Sequence, residues 1–332
     1  MNPPILYIVV PCYNEQEVLP ETSSRLLAKL TSLTERERIS PASRILFVDD
    51  GSKDTTWAQI DALAKSDARF GGVKLSRNRG HQNALLAGLM TAKGMCDCCI
   101  SMDADLQDDI EAVEGMLTAY SEGCDVVYGV RSSRESDTFF KRTTAQGFYK
   151  FMKLMGVDIV YNHADYRLLS SRALEALSQF KEINLFLRGI VPLVGYKSST
   201  VTYVRSERFA GESKYPLKKM LSFAFDGITS FSVRPIRWVT GLGFLLFLAS
   251  IIAMVYCLVV KILGYTVAGW TGTMLSIWMI GGIQLLCLGI IGEYVGKIYT
   301  EVKDRPRFII EAVSLDPGDR EGIVQQVTPV KD

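Results

Sequence analysis

The sequence predicts an α/β domain on an open, mostly parallel sheet, followed by an amphipathic helix and a two-helix hairpin long enough to cross a bilayer. Three observations carry this expectation. Short, largely apolar runs at 5–10, 44–48, 73–75, 98–102 and 125–128 each open into a polar loop, and helical periodicity follows. Runs without strict alternation mark strands covered on both faces, and strand–loop–helix repeats build parallel sheets. Composition then shifts sharply, and two uncharged stretches, 239–260 and 273–292, approach the ~20 apolar residues a spanning helix needs.

The bulk numbers narrow the function classes. With 37 basic and 36 acidic residues the formal charge is +1, which argues against a nucleic-acid partner. Hydrophobic residues make up 48% and the mean hydropathy is +0.15, an excess concentrated in the C-terminal third. No basic n-region with an apolar core opens the chain, so the N-terminus is expected in the cytoplasm. The 7 cysteines are irregularly spaced, and only His81 and His163 could join Cys96, Cys98 and Cys99 in a zinc set. Buried, reduced thiols are the expectation.

Taken in order, the first strand (5–10) ends at Pro11, Tyr13 and Glu15, and a helix carrying Val18, Leu26, Leu27 and Leu30 follows. The second (44–48) opens into Asp49-Asp50-Gly51, where Gly51 permits a tight turn and Asp54 or Ser52 can cap the helix of Trp57, Ile60 and Leu63. The third leads to Asn78-Arg79-Gly80 and a helix through Leu89. The fourth delivers Asp103 and Asp105 to its carboxyl end, and the fifth ends near Arg131. Carboxylates at i and i+2 leaving a strand can face one hard cation, Mg2+ or Mn2+, although a DxD string alone also suits a solvated turn. Ligands of such sheets gather beyond the strands' carboxyl ends. Neither GxGxxG nor GxxxxGK[ST] occurs, which disfavours dinucleotide-binding and P-loop folds.

Past Arg131 lie Lys141 and Arg142, a helix with Phe148, Phe151 and Met152, and Asp165, which reads as a residue just before a helix and so as a candidate cap. A last strand is expected at 200–204, followed by a basic loop with Arg208 and Lys214. Apolar residues from Leu217 to Phe231 recur at three and four, with Lys218 and Lys219 elsewhere on the wheel. A core helix would look similar, but a position between basic and membrane segments favours an interfacial one. Lys218, Lys219, Arg234 and Arg237 precede the first span, while Lys297, Lys303, Arg305 and Arg307 follow the second. By the positive-inside rule both flanks are cytoplasmic. Trp238, Trp270 and Tyr294 suit aromatic belts, and Gln284 suits helix–helix association. Beyond Ala312 the chain reads as disordered.

Together VPCYNE (10–15), VDDGSKD (48–54), NRG (78–80), DADLQD (103–108), DYRLLS (165–170) and RFAGESKY (208–215) resemble the inverting GT-A glycosyltransferases acting on polyprenyl phosphates. That group includes dolichol-phosphate mannose synthases and bactoprenol glucosyltransferases. The resemblance implies a GT-A nucleotide-sugar-binding domain at 1–213, a juxtamembrane helix at 214–237, a transmembrane hairpin at 238–296 and a cytoplasmic segment and tail at 297–332. It implies nucleotide-sugar contacts from Pro11, Tyr13, Glu15, Asp50 and Asp103, and a Mg2+ or Mn2+ site of Asp103, Asp105 and Gln107. Asp105 and Asp165 are the implied catalytic residues. Arg131, Arg208 and Lys214 would hold the lipid phosphate, with Lys141 and Arg142 as weaker candidates.

The implied reaction moves glucose from UDP-glucose to undecaprenyl phosphate, giving a β-linked product. Donors carrying mannose, N-acetylglucosamine or 4-amino-arabinose are the alternatives. The setting would be a bacterial inner membrane, multi-pass, with both termini cytoplasmic, and the family's architecture implies a homo-oligomer, a tetramer. A phosphate acceptor is largely ionised at neutral pH, so Asp165 is expected chiefly to orient the acceptor or stabilise the transition state, with base catalysis second. A processive polysaccharide synthase would want more spans and a QxxRW-type motif, absent from 180–189; an inactive membrane scaffold would not need Asp103, Asp105 and Asp165 intact.

Overall fold

The computed structural model describes residues 3–131, 163–183, 185–204, 232, 234–263 and 270–315. It divides into two units. The first spans Met1–Gly147, Ile159–Tyr215 and Arg305–Asp332, the second Phe148–Asp158 and Pro216–Asp304.

In the first unit eight strands form one sheet: β1 (Leu6–Cys12), β2 (Arg44–Asp49), β3 (Phe70–Leu75), β4 (Cys98–Ser101), β5 (Val126–Arg131), β6 (His163–Ser170), β7 (Ser198–Tyr203) and β8 (Ile310–Ser314). Their order is β7-β5-β6-β4-β1-β2-β3-β8. The β4-β1-β2-β3 block is parallel, β5 pairs β7 in parallel, and β6 and β8 run antiparallel to their neighbours. Among the described residues the helices of this unit are α1 (Leu19–Glu35), α2 (Thr56–Ser66), α3 (His81–Ala92), α4 (Ala112–Ser121), α5 (Ser171–Ser178) and α6 (Leu187–Leu193).

The strand alternation explains why both faces are covered. Leu6, Ile8, Val10 and Cys12 of β1 pack with Leu26, Leu30 and Leu33 of α1 and with Val113, Met116 and Leu117 of α4. Val9 points the other way, onto α3 at Gly88. Each such fully buried aliphatic side chain is worth about 1.5–3 kcal/mol.

Two expectations change. Residues 163–170 form β6, so Asp165 lies inside a strand; Ser170 is the cap of α5, its side chain accepting from the Ala173 N–H. The strand was illegible because it carries a buried arginine, Arg167, where an apolar residue would be expected. The ordered chain also passes Ala312, because β8 adds itself to the edge of β3 and Leu315 is buried. Residues 316–332 of the expected tail, the helix near Phe148 and the amphipathic stretch from Leu217 to Phe231 lie outside the described residues.

The second unit contains α7 (Arg234–Ile262) and α8 (Trp270–Val302), which cover both expected spans. The Tyr294 hydroxyl of α8 donates to the Ser232 carbonyl at 2.6 Å, just ahead of α7. Large apolar side chains on both helices are exposed, among them Phe244, Ile252, Leu285 and Leu288. Among the described residues one stretch, Met279–Val302, is long and apolar enough to cross a membrane.

Gly88 lets α3 lie close against the sheet. A Cβ there would stand 2.4 Å from Val9 Cγ1 and 2.7 Å from Val48 Cγ2. Gly to Ala inside a helix ordinarily gains about 1 kcal/mol, but overpacking a core costs about 1–3 kcal/mol. Gly88→Ala should therefore lower the melting temperature, and an unchanged or raised value would contradict the close approach.

Candidate active site

The site assembles at the carboxyl ends of β1 to β4. Asn14 takes a left-handed backbone (φ 53°), its N–H donating to Ser52 Oγ and its Oδ1 accepting from the Lys53 N–H, both at 2.9 Å. Asp54 Oδ1 accepts from the Thr56 N–H at 3.0 Å, although Thr55, and neither Asp54 nor Ser52, stands at the N-cap of α2. Gly51 has φ 66°, and a Cβ there would meet the Arg77 carbonyl carbon at 2.6 Å. The first two loops thus lock together, leaving a cleft of about 410 Å3 lined by Asn14, Glu15, Lys53 and Asp54 among others. Tyr13 stands beside it in sequence with 40% of its surface free.

Pro11 and Asp50 sit deeper than their assigned roles suggest. Pro11 is buried within β1, opposite Val48. Asp50 is buried too, its two oxygens accepting from the backbone N–H groups of Arg79 (2.7 Å) and Gly80 (2.9 Å). Burial raises its pKa against the pull of those donors. Asp50 therefore fixes the loop before α3, a task its sequence position did not disclose.

That loop presents His81, and His81 joins two acidic centres. Its Nε2 lies 3.4 Å from Asp103 Oδ1 and 3.9 Å from Asp165 Oδ2. Asp103 follows β4, and burial, with Asp165 and Asp105 nearby, raises its pKa although His81 opposes this. Asp105 is buried and its Oδ1 accepts from the Gln107 N–H at 3.2 Å, with Leu106 left-handed between them (φ 57°). Gln107 thus enters the loop through its backbone. An oxygen-only donor pair under mutual repulsion fits Mg2+ or Mn2+. Among the described residues no three His, Cys, Asp or Glu side chains form a ready cage, so substrate phosphates and water would complete the coordination.

Asp165 is the most constrained carboxylate. Arg167 donates to its Oδ1, and Arg188 Nη2 donates to its Oδ2 at 3.0 Å. Arg167 is 2% exposed, and its Nη1 also donates to the Leu187 carbonyl at 3.3 Å. Burial alone would raise the pKa of Asp165, but Arg188, Arg167 and His81 outweigh it and hold the group well below the carboxylate range. The carboxylate is ionised at any physiological pH. Sequence reasoning missed His81, Arg167 and Arg188 as site residues. Arg167 lay inside a quoted motif, and Arg188 inside a stretch searched only for another pattern.

A second buried cluster adjoins the acidic loop. Tyr203, the last residue of β7, donates its hydroxyl to Asp108 Oδ1 at 2.5 Å. Burial raises the pKa of both groups, and Arg131, opposite Tyr203 in the register, opposes it, while Asp108 Oδ2 and Arg131 Nε have no hydrogen-bond partner. Arg208, Lys214, Lys141 and Arg142 lie outside the described residues.

The family described as Glycosyl transferase family 2 matches residues 7–178. The chain is 57% identical over 308 residues to the uncharacterized glycosyltransferase YkoT of Bacillus subtilis (strain 168), covering 93% of this chain and 91% of that protein. It is 40% identical over 309 residues to the bactoprenol glucosyl transferase of Shigella phage SfII, covering 92% and 96%. A solved structure of glucosyl-3-phosphoglycerate synthase from Mycobacterium tuberculosis is similar at a TM-score of 0.43 and 17% identity, over 68% of this chain and 76% of that one.

Asp108 makes stability pH-dependent in the metal-free protein. Burial, then Asp103, pushes its carboxyl from the ordinary carboxylate range up to about 6, against Tyr203 and Arg131. A folded pKa above the unfolded one means that stability falls as pH rises from about 4 to about 6, by roughly 2–3 kcal/mol at 1.36 kcal/mol per unit. Asp108→Asn should flatten that slope in chelator-treated protein. Parallel melting curves for the two proteins across this range would refute it.

Proposed function

The chain belongs to glycosyl transferase family 2, and on that premise we propose that it transfers a hexose from a nucleotide-sugar to a polyprenyl phosphate at the cytoplasmic face of a bacterial inner membrane. The observation that carries this reading is the clamping of the Asp165 carboxylate by Arg167 and Arg188. A general base works best with a pKa near the operating pH, and a carboxylate clamped by two arginines lies far below it. Such a site suits an acceptor needing no deprotonation. A phosphate monoester, with a second pKa near 6, is such an acceptor. The bactoprenol glucosyl transferases among the relatives support the same acceptor class and favour glucose as the sugar, with UDP-glucose as the proposed donor. Mannose, N-acetylglucosamine and 4-amino-arabinose donors are the alternatives.

In the proposed reaction an ionised phosphate oxygen attacks the anomeric carbon as the bond to the nucleoside diphosphate breaks. The departing diphosphate keeps the electron pair, and the configuration inverts from α to β. Tyr13 and Glu15 would hold the base and ribose, with Pro11 and Asp50 shaping their loops. Asp103 and Asp105, with Gln107 in their loop, would hold a divalent cation. That ion, when bound, would neutralise charge on the leaving diphosphate. Arg131, Arg208 and Lys214 would take the lipid phosphate. Asp165 would keep Arg188 aimed at the reacting groups and stabilise positive charge on the sugar ring.

Connectivity supports a membrane hairpin. β7 before the two long helices and β8 after them belong to one sheet. A chain that leaves and rejoins one folded sheet crosses a bilayer an even number of times, so a crossing by α8 calls for a second crossing, for which α7 is the candidate. Their exposed apolar side chains favour crossing. Both flanks would then be cytoplasmic, where the water-soluble donor is found.

The test supplies full-length protein with undecaprenyl phosphate and labelled nucleotide-sugars, with Mn2+ or with chelator. Lipid-extractable label from one donor, abolished by chelator, is expected; no lipid label from any donor would overturn the proposal. Asp165→Asn should lower turnover about 100-fold or more with nucleotide-sugar affinity nearly unchanged, and retention of most activity would remove Asp165 from its assigned role.

A further inference from the structure

Two segments bring the partners of Asp165 into place. Residues 76–80 lead to His81, and residues 180–186 lead to Arg188. The chain that follows α8 is bonded to both. The Ser76 N–H donates to the Ile309 carbonyl at 2.9 Å, the Arg79 guanidinium to the Pro306 carbonyl at 3.3 Å, and Arg307 Nη2 to the Phe180 carbonyl at 2.6 Å. The far ends of the two segments are joined as well, the Leu187 N–H donating to Gln82 Oε1 at 2.9 Å. Arg167 then holds the Leu187 carbonyl, and Arg188 follows directly.

We propose that Arg307 is a positioning residue for glycosyl transfer: by gripping the Phe180 carbonyl it fixes the segment that presents Arg188 to Asp165. This rests on the reading of Asp165 and Arg188 as part of the transfer site. In this role Arg307 acts through the Phe180 carbonyl. Its partner is the carbonyl of Phe180, at the entrance to that segment. Pro306 stands four residues beyond the end of α8 at Val302, so the site is fastened by chain that has just left the apolar helix. Without the grip, the segment leading to Arg188 is held only at its far end, by the Leu187 bonds to Gln82 and Arg167, and the loss falls on the chemical step more than on donor binding.

The experiment uses full-length protein in nanodiscs, undecaprenyl phosphate and labelled UDP-glucose. It adds backbone amide exchange read on peptides covering 180–190. Arg307→Ala should lower kcat about tenfold with KM for UDP-glucose within twofold, and exchange at 180–190 should accelerate while β1 and β2 stay protected. Arg307→Lys, which keeps one cationic donor, should restore most of that protection and part of kcat; it also serves if the alanine variant does not fold. Glu311→Gln breaks the Lys74–Glu311 pair across β3 and β8 without touching Phe180, and should change neither reading. Unchanged exchange at 180–190 in Arg307→Ala, an unchanged kcat, or equal losses in Glu311→Gln would each overturn the proposal. If the wild-type protein labels no lipid, the functional reading fails instead, and exchange alone decides whether Arg307 holds the segment.

Discussion

The arrangement depends on one desolvated carboxylate shared by two guanidinium groups. Removing Asp165 or Arg167 from water alone would be costly, since an unpaired buried charge is among the most destabilising features a core can hold. Together, with Arg188 completing the set, they are mutually necessary. The Ser101 hydroxyl adds a bond to the Asp165 carbonyl at 2.5 Å, so the backbone as well as the side chain of this residue is held. Rigidity of this kind suits electrostatic preorganisation, in which charges stand where transition-state charge develops.

Sheet topology explains how such a group reaches the acidic loop after β4. A purely parallel arrangement would send each strand's carboxyl end, and only that end, toward the ligand. β6 runs against β4 and β5, with Ser101 opposite Arg167 and Val130 opposite His163. The reversed strand brings its first residues to the edge where its neighbours finish. Asp165 thereby meets Asp103, a residue 62 positions earlier in the chain, across a single histidine.

Much of this was legible in the chain, for identifiable reasons. β1, β2 and β4 announce themselves as apolar runs because both faces are covered, and the loops after them carry the residue types the site needs. β6 escaped because a buried charge interrupts its apolar pattern, and β8 because five residues, IEAVS, with a glutamate second, carry little periodic signal. The ion-pair partners of Asp165 were hidden for another reason. His81 and Arg188 come from helices far apart in sequence, and no local spacing encodes a contact that only the fold creates. Asp50 also braces the loop before α3 through the Arg79 and Gly80 N–H groups, a second task that a motif does not disclose, since a carboxylate that binds a ligand and one that braces a loop look alike there.

The strand β8 has a consequence for how the molecule is made. The sheet's last member is synthesised only after both long apolar helices, so the β3 edge stays open while they emerge from the ribosome. An unpaired edge is a template for unwanted association, and here closure waits on the most distant pairing in the sheet, Gly72 with Ser314. Biogenesis is therefore sequential: a nascent globular part remains incomplete until the hydrophobic segments have been handed over, and a ribosome stalled before residue 310 would release a protein with one raw flank.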